Sequence, residues 1–215
     1  MKDSLDIQLN SQLLARSAAY ALFSNLVSSP HEGHILFKDI QTVILVIQKD
    51  LPFQIDFDSM TQETKAISKK EWQKLVRSYS GLFEVGNDGP PIPIRESAHP
   101  SLTFKREEVT RYYEYFGYEI NENSQWESDH LAIELEFLHF LCQGEMTSGD
   151  ALSFQLAQKD FIERHINLWV SSIIYRLKKQ IAHPYWSSIF TTLDDFLQLD
   201  LKWLNTNLDE VKEAI

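Results

Sequence analysis

The chain has 215 residues, 43% of them hydrophobic and 12% aromatic, which is enough for a sizeable core and too apolar for an intrinsically disordered protein. The 20 Lys and Arg residues against 31 Asp and Glu give a formal net charge of −11, which argues against a protein that tracks nucleic-acid phosphates. A single cysteine, Cys142, excludes an intramolecular disulfide and, within one chain, any multi-cysteine zinc or iron–sulfur site.

The N-terminus shows no secretory signal. Residues 1–12 lack a continuous apolar core and a small-residue cleavage site. Elsewhere in the sequence, no stretch approaches the roughly 18 uninterrupted apolar residues of a transmembrane helix. We therefore expect a protein without membrane insertion that stays in the reducing cytoplasm.

Apolar residues recur at helical spacing through the N-terminal part of the chain. The spacing predicts helices over residues 7–27, 35–47 and 59–67. Within the second of these, the run VILVI is also compatible with a buried strand, but its length and spacing favour a helix. Ser68 and Glu71 then have the spacing of a capping box, and they predict a further helix that ends near Phe83.

The stretch that follows is rich in turn-forming residues. Four of the seven prolines lie between residues 90 and 100, and Gly86 and Gly89 precede them. This composition predicts a long loop, which is either functional or a plain linker. Helical spacing resumes near Phe104 and stops at Gly117, a typical helix end.

Residues 129–143 predict a helix enclosed by other helices. Only a narrow arc of this helix, which contains Glu136 and Gln143, is expected to be exposed to solvent. Ser128 or Asp129 can cap the helix at its N-terminus. Glu134 falls in the middle of the apolar arc, with His130 one turn before it. An unpaired buried carboxylate is so costly that Glu134 implies a hydrogen-bond network, a neutral side chain or a binding site.

The C-terminal third also reads as helical. We predict a connection at residues 144–149, a long helix over 150–181, a break at Pro184, and helices over 185–199 and 201–215. The chain is therefore expected to form one all-α domain over residues 1–215, a globular bundle of roughly ten helices. A subdivision near residues 118–128 and a hinge at 144–149 that allows domain swapping are alternatives, so we expect a monomer or a domain-swapped dimer.

Residues for catalysis are scarce. The sequence has no phosphate-binding glycine motif, no nucleophile elbow and no HExxH. His130 and Glu134 are spaced as two metal ligands on one helical face, and they leave a helical metal-dependent hydrolase as the alternative function, but no convergent third ligand accompanies them. We assign Glu134 and His165 to a structural core pair and Cys142 to the core, and we expect no metal or other cofactor.

Three ordered blocks of sequence resemble one family. Residues 129–138, DHLAIELEFL, are similar to the DHLAxELEFM-type signature of the TorD/DmsD/NarJ chaperones for molybdenum-containing redox enzymes. Residues 161–169, 182–186 and 196–200 resemble that family's FxxxHLxxW, xxPFY and FLxxD blocks in the same order. Residues 79–83, followed by prolines and by Glu96 and Ser97, resemble its YxxLF helix end and proline-rich loop.

The resemblance implies an all-helical chaperone and no enzymatic reaction. It further implies that the protein binds the twin-arginine signal peptide, and the core, of a molybdopterin-containing oxidoreductase before export. The implied peptide-binding residues are Tyr79, Leu82, Phe83, Pro91, Asp129 and His130. Such a receptor needs carboxylates beside an apolar groove, and Asp129 would supply the charge. An acidic regulatory protein that binds a partner's basic helix is a further alternative.

Overall fold

Helices account for most of the chain, as the spacing of its apolar residues predicts. The computed structural model describes residues 2–30, 37–99, 101–122, 124 and 126–213. Within these residues the chain forms nine α-helices, two short 3₁₀ turns and no β-strand, which confirms the all-α prediction. The helices are α1 Lys2–Val27, α2 Phe37–Asp50, α3 Asp58–Ala66, α4 Lys69–Phe83, α5 Lys105–Phe116, α6 Leu131–Thr147, α7 Ala151–Arg164, α8 Val170–Lys179 and α9 Pro184–Glu213.

Two helix ends form for the local reasons expected. Ser68 accepts a hydrogen bond from the backbone N–H of Glu71, and the Glu71 carboxylate accepts one from the backbone N–H of Ser68, so the capping box at the start of α4 is confirmed. Gly117 ends α5 in the left-handed region at φ 69°, where a side chain would be strained.

The helical hairpin formed by α6 and α7 lies at the centre of the fold. α6 packs along α1 on one side and against α7 on the other. The prediction that the connection begins at Gly144 is wrong, because α6 continues through this glycine to Thr147. A Cβ atom at Gly144 would lie 2.1 Å from the Phe154 ring, so a larger residue here would displace this ring, and glycine allows α7 to approach closely.

The predicted boundaries in the C-terminal third need correction. The single helix expected over residues 150–181 is two helices, α7 and α8, separated at His165. The two helices expected over 185–199 and 201–215 are one continuous helix, α9, because no glycine or proline interrupts residues 185–213. Ile35 and Leu36 of the predicted second helix, and residues 214 and 215 of the last, lie outside the described residues.

A buried polar network joins four helices inside the apolar core. The guanidinium of Arg16 on α1 donates to Asp200 on α9 and to Gln158 on α7, while Tyr20 donates to the same aspartate. Glu145 on α6 lies 3.5 Å from Arg16.

None of the helices in the described part of the chain contains a segment long and apolar enough to cross a membrane.

Candidate functional site

Two of the six implied peptide-binding residues, Phe83 and His130, meet at a surface groove of about 220 Å³. We call it the 83–130 groove, because it lies between the end of α4, the proline-rich loop and the start of α6. It is lined by Phe83, Glu84, Pro90, Pro93, Ile94, Arg95, Ala98, Trp126, Glu127 and His130. Residues of the long loop predicted from its prolines therefore line this groove.

One wall of the groove is the C-terminal end of α4. Phe83 is buried and packs against Trp186 and Phe190 of α9, whereas Glu84 is exposed. The backbone N–H of Ile92 donates to the carbonyl oxygen of Leu82 across 2.9 Å, which fixes the proline-rich loop to this helix end. The end of α4 carries the partial negative charge of the helix dipole, and it favours a cationic ligand.

Trp126 and His130 form the opposite wall. Their rings are stacked with centroids 4.2 Å apart. His130 Nδ1 accepts the backbone N–H of Ala132 at 3.1 Å, so His130, and not the predicted Ser128 or Asp129, caps α6. The proton of this imidazole is therefore on Nε2, which has no hydrogen-bond partner among the described residues. Burial, and secondarily the charge of Arg95, lower the pKa of His130 to about 3, so the ring is neutral.

Residues 92–97 form the floor of the groove, with Arg95 in extended backbone and a short 3₁₀ turn that begins at Glu96. Ile92, Pro93, Ile94 and Glu96 are buried, while Arg95 is exposed at the groove. The backbones of Arg95 and His130 form an isolated antiparallel β-bridge. In this bridge the backbone N–H of Leu131 donates to the carbonyl oxygen of Ile94 at 3.0 Å. Loop and helix start are thereby joined by backbone hydrogen bonds.

Asp129 does not face the groove as a free carboxylate. Its side chain is fully buried, and its Oδ2 accepts the backbone N–H of Ser97 at 2.8 Å. Its carbonyl oxygen accepts the backbone N–H of Glu96 at 3.0 Å. The expectation that Asp129 offers its charge at the surface therefore differs from the structure, because this aspartate is used to hold the segment that follows the proline-rich loop.

Glu134 and His165 are both buried, as predicted, but they do not form the predicted pair. His165 Nδ1 is hydrogen-bonded to Glu96 Oε2 across 2.9 Å. Neither oxygen of Glu134 has a hydrogen-bond partner among the described residues. Burial, together with the nearby carboxyl groups of Glu96 and Asp129, raises the pKa of Glu134 well above its usual range. Of the three possibilities that the sequence leaves open for Glu134, the structure favours the neutral side chain.

The other implied residues lie behind or beside the groove. Tyr79 is buried, packs against Trp126 and Phe83, and donates from its hydroxyl to the carbonyl oxygen of Val27. Leu82 is half-buried on the same helix, and Pro91 is half-buried between the two lining prolines. Tyr79 is therefore a support of the groove, whereas Phe83 and His130 line it.

The charges at the groove favour a cation that carries an apolar neighbour. Glu84 and Glu127 are exposed carboxylates at its rim, and Arg95 is the cation among the lining residues. Glu127 also forms an ion pair with Arg106, whose side chain is half-exposed. Trp126 and Pro90, both half-buried, provide apolar surface beside these charges, whereas the Phe83 ring lines the groove with only 2% of its surface exposed.

Sequence reasoning assigned no role to Glu84, Arg95 and Glu127 and did not expect Glu96 to be buried. No alternation marks Glu96 in the sequence, because Pro93 is buried together with Ile92 and Ile94 and a 3₁₀ turn begins at Glu96. A larger trough of about 670 Å³ lies between α5 and α7, and none of the implied peptide-binding residues lines it. Within the described ranges, no group of three or more His, Cys, Asp or Glu side chains has an arrangement that could hold a metal ion.

Comparison with known proteins gives the family and several relatives. The family described as nitrate reductase delta subunit matches residues 50–174, more than half of the chain. The chain is 33% identical over 113 residues to a chlorate reductase assembly chaperone of Ideonella dechloratans, and 32% identical over 113 residues to a selenate reductase assembly chaperone of Thauera selenatis. Each of these matches covers 49% of this chain and 58% of the relative, so the matched region spans little more than half the length of these two proteins.

Two further similarities extend over more of the chain. A perchlorate reductase assembly chaperone of Dechloromonas aromatica strain RCB is 24% identical over 216 aligned positions, which cover 94% of this chain and 95% of the relative. A solved structure of a candidate redox enzyme maturation protein from Archaeoglobus fulgidus is 18% identical, covers 88% of this chain and 93% of its own, and has a TM-score of 0.44. The three curated relatives are named chaperones and not enzymes, as the motifs imply. Since the family match covers more than half of the chain, the chain belongs to the nitrate reductase delta subunit family, which confirms the resemblance to the TorD/DmsD/NarJ chaperones that its motifs indicate.

Proposed function

We propose that the protein is a cytoplasmic assembly chaperone for a molybdopterin-containing oxidoreductase, and that it binds the twin-arginine leader of this client in the 83–130 groove. The observation that carries the proposal is the meeting of two exposed carboxylates with an apolar wall at the motif residues Phe83 and His130. The relatives are named as assembly chaperones of chlorate, perchlorate and selenate reductases, and these names support an oxidoreductase as the client.

The guanidinium groups of the leader would meet Glu84 and Glu127 at the rim. Guanidinium is planar and weakly hydrated, and it pairs with carboxylates through two parallel hydrogen bonds. The C-terminal end of α4 adds partial negative charge on the same side. Arg95 opposes a further cation close to it, so the arginines of the leader are expected at the rim and away from Arg95. An arginine that pairs with Glu127 would compete with Arg106 for that carboxylate.

The apolar stretch that follows the arginines would pack against Phe83 and Trp126. Burial of such a stretch contributes roughly 25 cal/mol per Å² of apolar surface. His130 adds a specific contact. Its Nε2–H has no acceptor among the described residues, so it can donate a hydrogen bond to a carbonyl oxygen of an extended peptide. Trp126, stacked on this ring, would have to shift to admit the peptide.

Calorimetric titration tests the proposal. The probe is a synthetic leader with paired arginines before an apolar stretch, compared with the same peptide carrying two alanines instead. We expect the double variant Glu84→Gln, Glu127→Gln to weaken binding of the arginine peptide by about 1–2 kcal/mol and to flatten its salt dependence, because these carboxylates are exposed and screened.

The matched control is Glu114→Gln, which neutralises an exposed carboxylate on α5 that does not line the groove. This variant should bind the arginine peptide as the unmodified protein does. Equal affinity of the unmodified protein for the arginine and alanine peptides would refute the proposal.

A further inference from the structure

We propose that Asp129, Glu96 and His165 are positioning residues of the 83–130 groove, which hold residues 92–97 in place and so shape the floor that a bound peptide meets. For its ligand the proposal rests on the function proposed above. In this arrangement Asp129 acts as a hydrogen-bond acceptor beneath the groove. It does not form an ion pair with an arginine of the leader.

Asp129 is bonded twice to the segment it would position. Its Oδ2 accepts from the backbone N–H of Ser97, and its carbonyl oxygen accepts from the backbone N–H of Glu96. Both N–H groups follow directly after Arg95, which is exposed at the groove. Loss of the carboxylate would leave the Ser97 N–H without its acceptor and would free the floor at this point.

Glu96 connects the same segment to the end of α7. Its side chain is fully buried and is hydrogen-bonded to His165 Nδ1 across 2.9 Å. His165 is itself fixed by edge contacts with Tyr112 and by packing on Phe161. The segment is therefore held from α6 by Asp129 and from α7 by His165, while its first residue, Ile92, is held by α4.

The surroundings of Asp129 argue against a role for its negative charge. Among the described residues it forms no ion pair, and its side chain lies near the carboxyl groups of Glu96 and Glu134. A neutral side chain with the same shape and the same acceptor would keep the hydrogen bond to Ser97 without adding charge to this cluster. The hydrogen bond to Ser97 is thus the contribution that the local structure needs.

Two substitutions at Asp129 separate the possible roles. Asp129→Asn keeps an acceptor for the Ser97 N–H and removes the charge, so affinity for the arginine leader should stay within about twofold and its salt dependence should be unchanged. Asp129→Ala removes the acceptor, so affinity should fall by roughly tenfold, again with unchanged salt dependence. Hydrogen exchange at the amides of Glu96 and Ser97 should accelerate in Asp129→Ala and not in Asp129→Asn.

If Asp129→Ala does not fold, Glu96→Ala removes the other anchor, and Glu96→Gln is its conservative control. The proposal is overturned if Asp129→Asn loses both affinity and salt sensitivity, since that result assigns the charge of Asp129 to the peptide. It is also overturned if the alanine variants bind the leader as tightly as the unmodified protein. A protein that does not distinguish the arginine and alanine leaders refutes the proposed function instead. In that case amide exchange at Ser97 decides the positioning role alone, and equal exchange in all variants overturns it.

Discussion

Glu134 offers a direct test of the buried carboxyl cluster, through the substitution Glu134→Gln. The side chain is fully buried, neither oxygen is hydrogen-bonded within the described structure, and the carboxyl groups of Glu96 and Asp129 are near. In the folded protein the pKa of Glu134 is therefore raised, and the side chain keeps its proton at neutral pH. In the unfolded chain the same group ionises above about pH 4.3.

The sign of the pH dependence follows from these two pKa values. Unfolding releases the Glu134 proton at any pH between them, so its contribution lowers the free energy of unfolding as pH rises from about 4.3. The slope is at most about 1.4 kcal/mol per pH unit, the limit for a single proton. Glutamine has nearly the shape of the protonated acid and does not ionise. The Glu134→Gln variant should therefore gain stability relative to the unmodified protein as pH rises from 5 to 7.

Urea unfolding at pH 5, 6 and 7 measures the difference. Glu114→Gln, which neutralises an exposed glutamate on α5, is the control and should leave the difference near zero at each pH. If the stability difference between Glu134→Gln and the unmodified protein is the same at pH 5 and pH 7, Glu134 is ionised in the folded state. The account of a neutral buried acid would then be wrong.

Three further outcomes are expected. The pKa of His130 in the folded protein is about 3, so the unmodified protein should lose up to about 1.4 kcal/mol of stability per pH unit as pH falls below about 6.5. The variant His130→Asn keeps an acceptor that can cap α6 but cannot take up this proton. In unfolding titrations at pH 7.5 and pH 5, it should therefore lack this loss of stability. Ile181 is 92% exposed at φ 49°, so Ile181→Gly should stabilise the fold by about 0.5–1 kcal/mol, and an unchanged melting temperature would contradict this. Asp200→Ala should cost about 3 kcal/mol in chemical unfolding because it leaves the buried guanidinium of Arg16 without its closest carboxylate, and a loss below about 1 kcal/mol would contradict the role of that pair.

Features set by neighbouring residues could be predicted from the sequence. The capping box at Ser68 and the helix end at Gly117 depend on side chains and backbone within one turn, so their residue types suffice. The enclosed α6 was predictable because its apolar arc is wide enough to need covering on several sides. Phe83 and His130 were placed at the site by the motif resemblance, and both line the groove.

Features set by contacts between distant segments were missed. The break between α7 and α8 at His165 has no local signal, because this residue is held by Glu96, 69 positions away. Asp129 was expected to supply charge because a receptor for guanidinium groups needs carboxylates, but its carboxylate is bound by the backbone of Ser97, 32 positions away. The glycine at position 144 marks a close approach of Phe154 on the facing helix and not the end of α6.

The close contact at Gly144 has a consequence for the far end of the hairpin. Phe154 lies near the beginning of α7 and His165 directly after its end, which at 1.5 Å per residue is a span of roughly 16 Å along the axis. A side chain at position 144 must displace either the Phe154 ring alone or α7 with it. Where α7 moves as a unit, the imidazole at its other end moves relative to Glu96. The glycine lets α6 and α7 approach each other without either displacement.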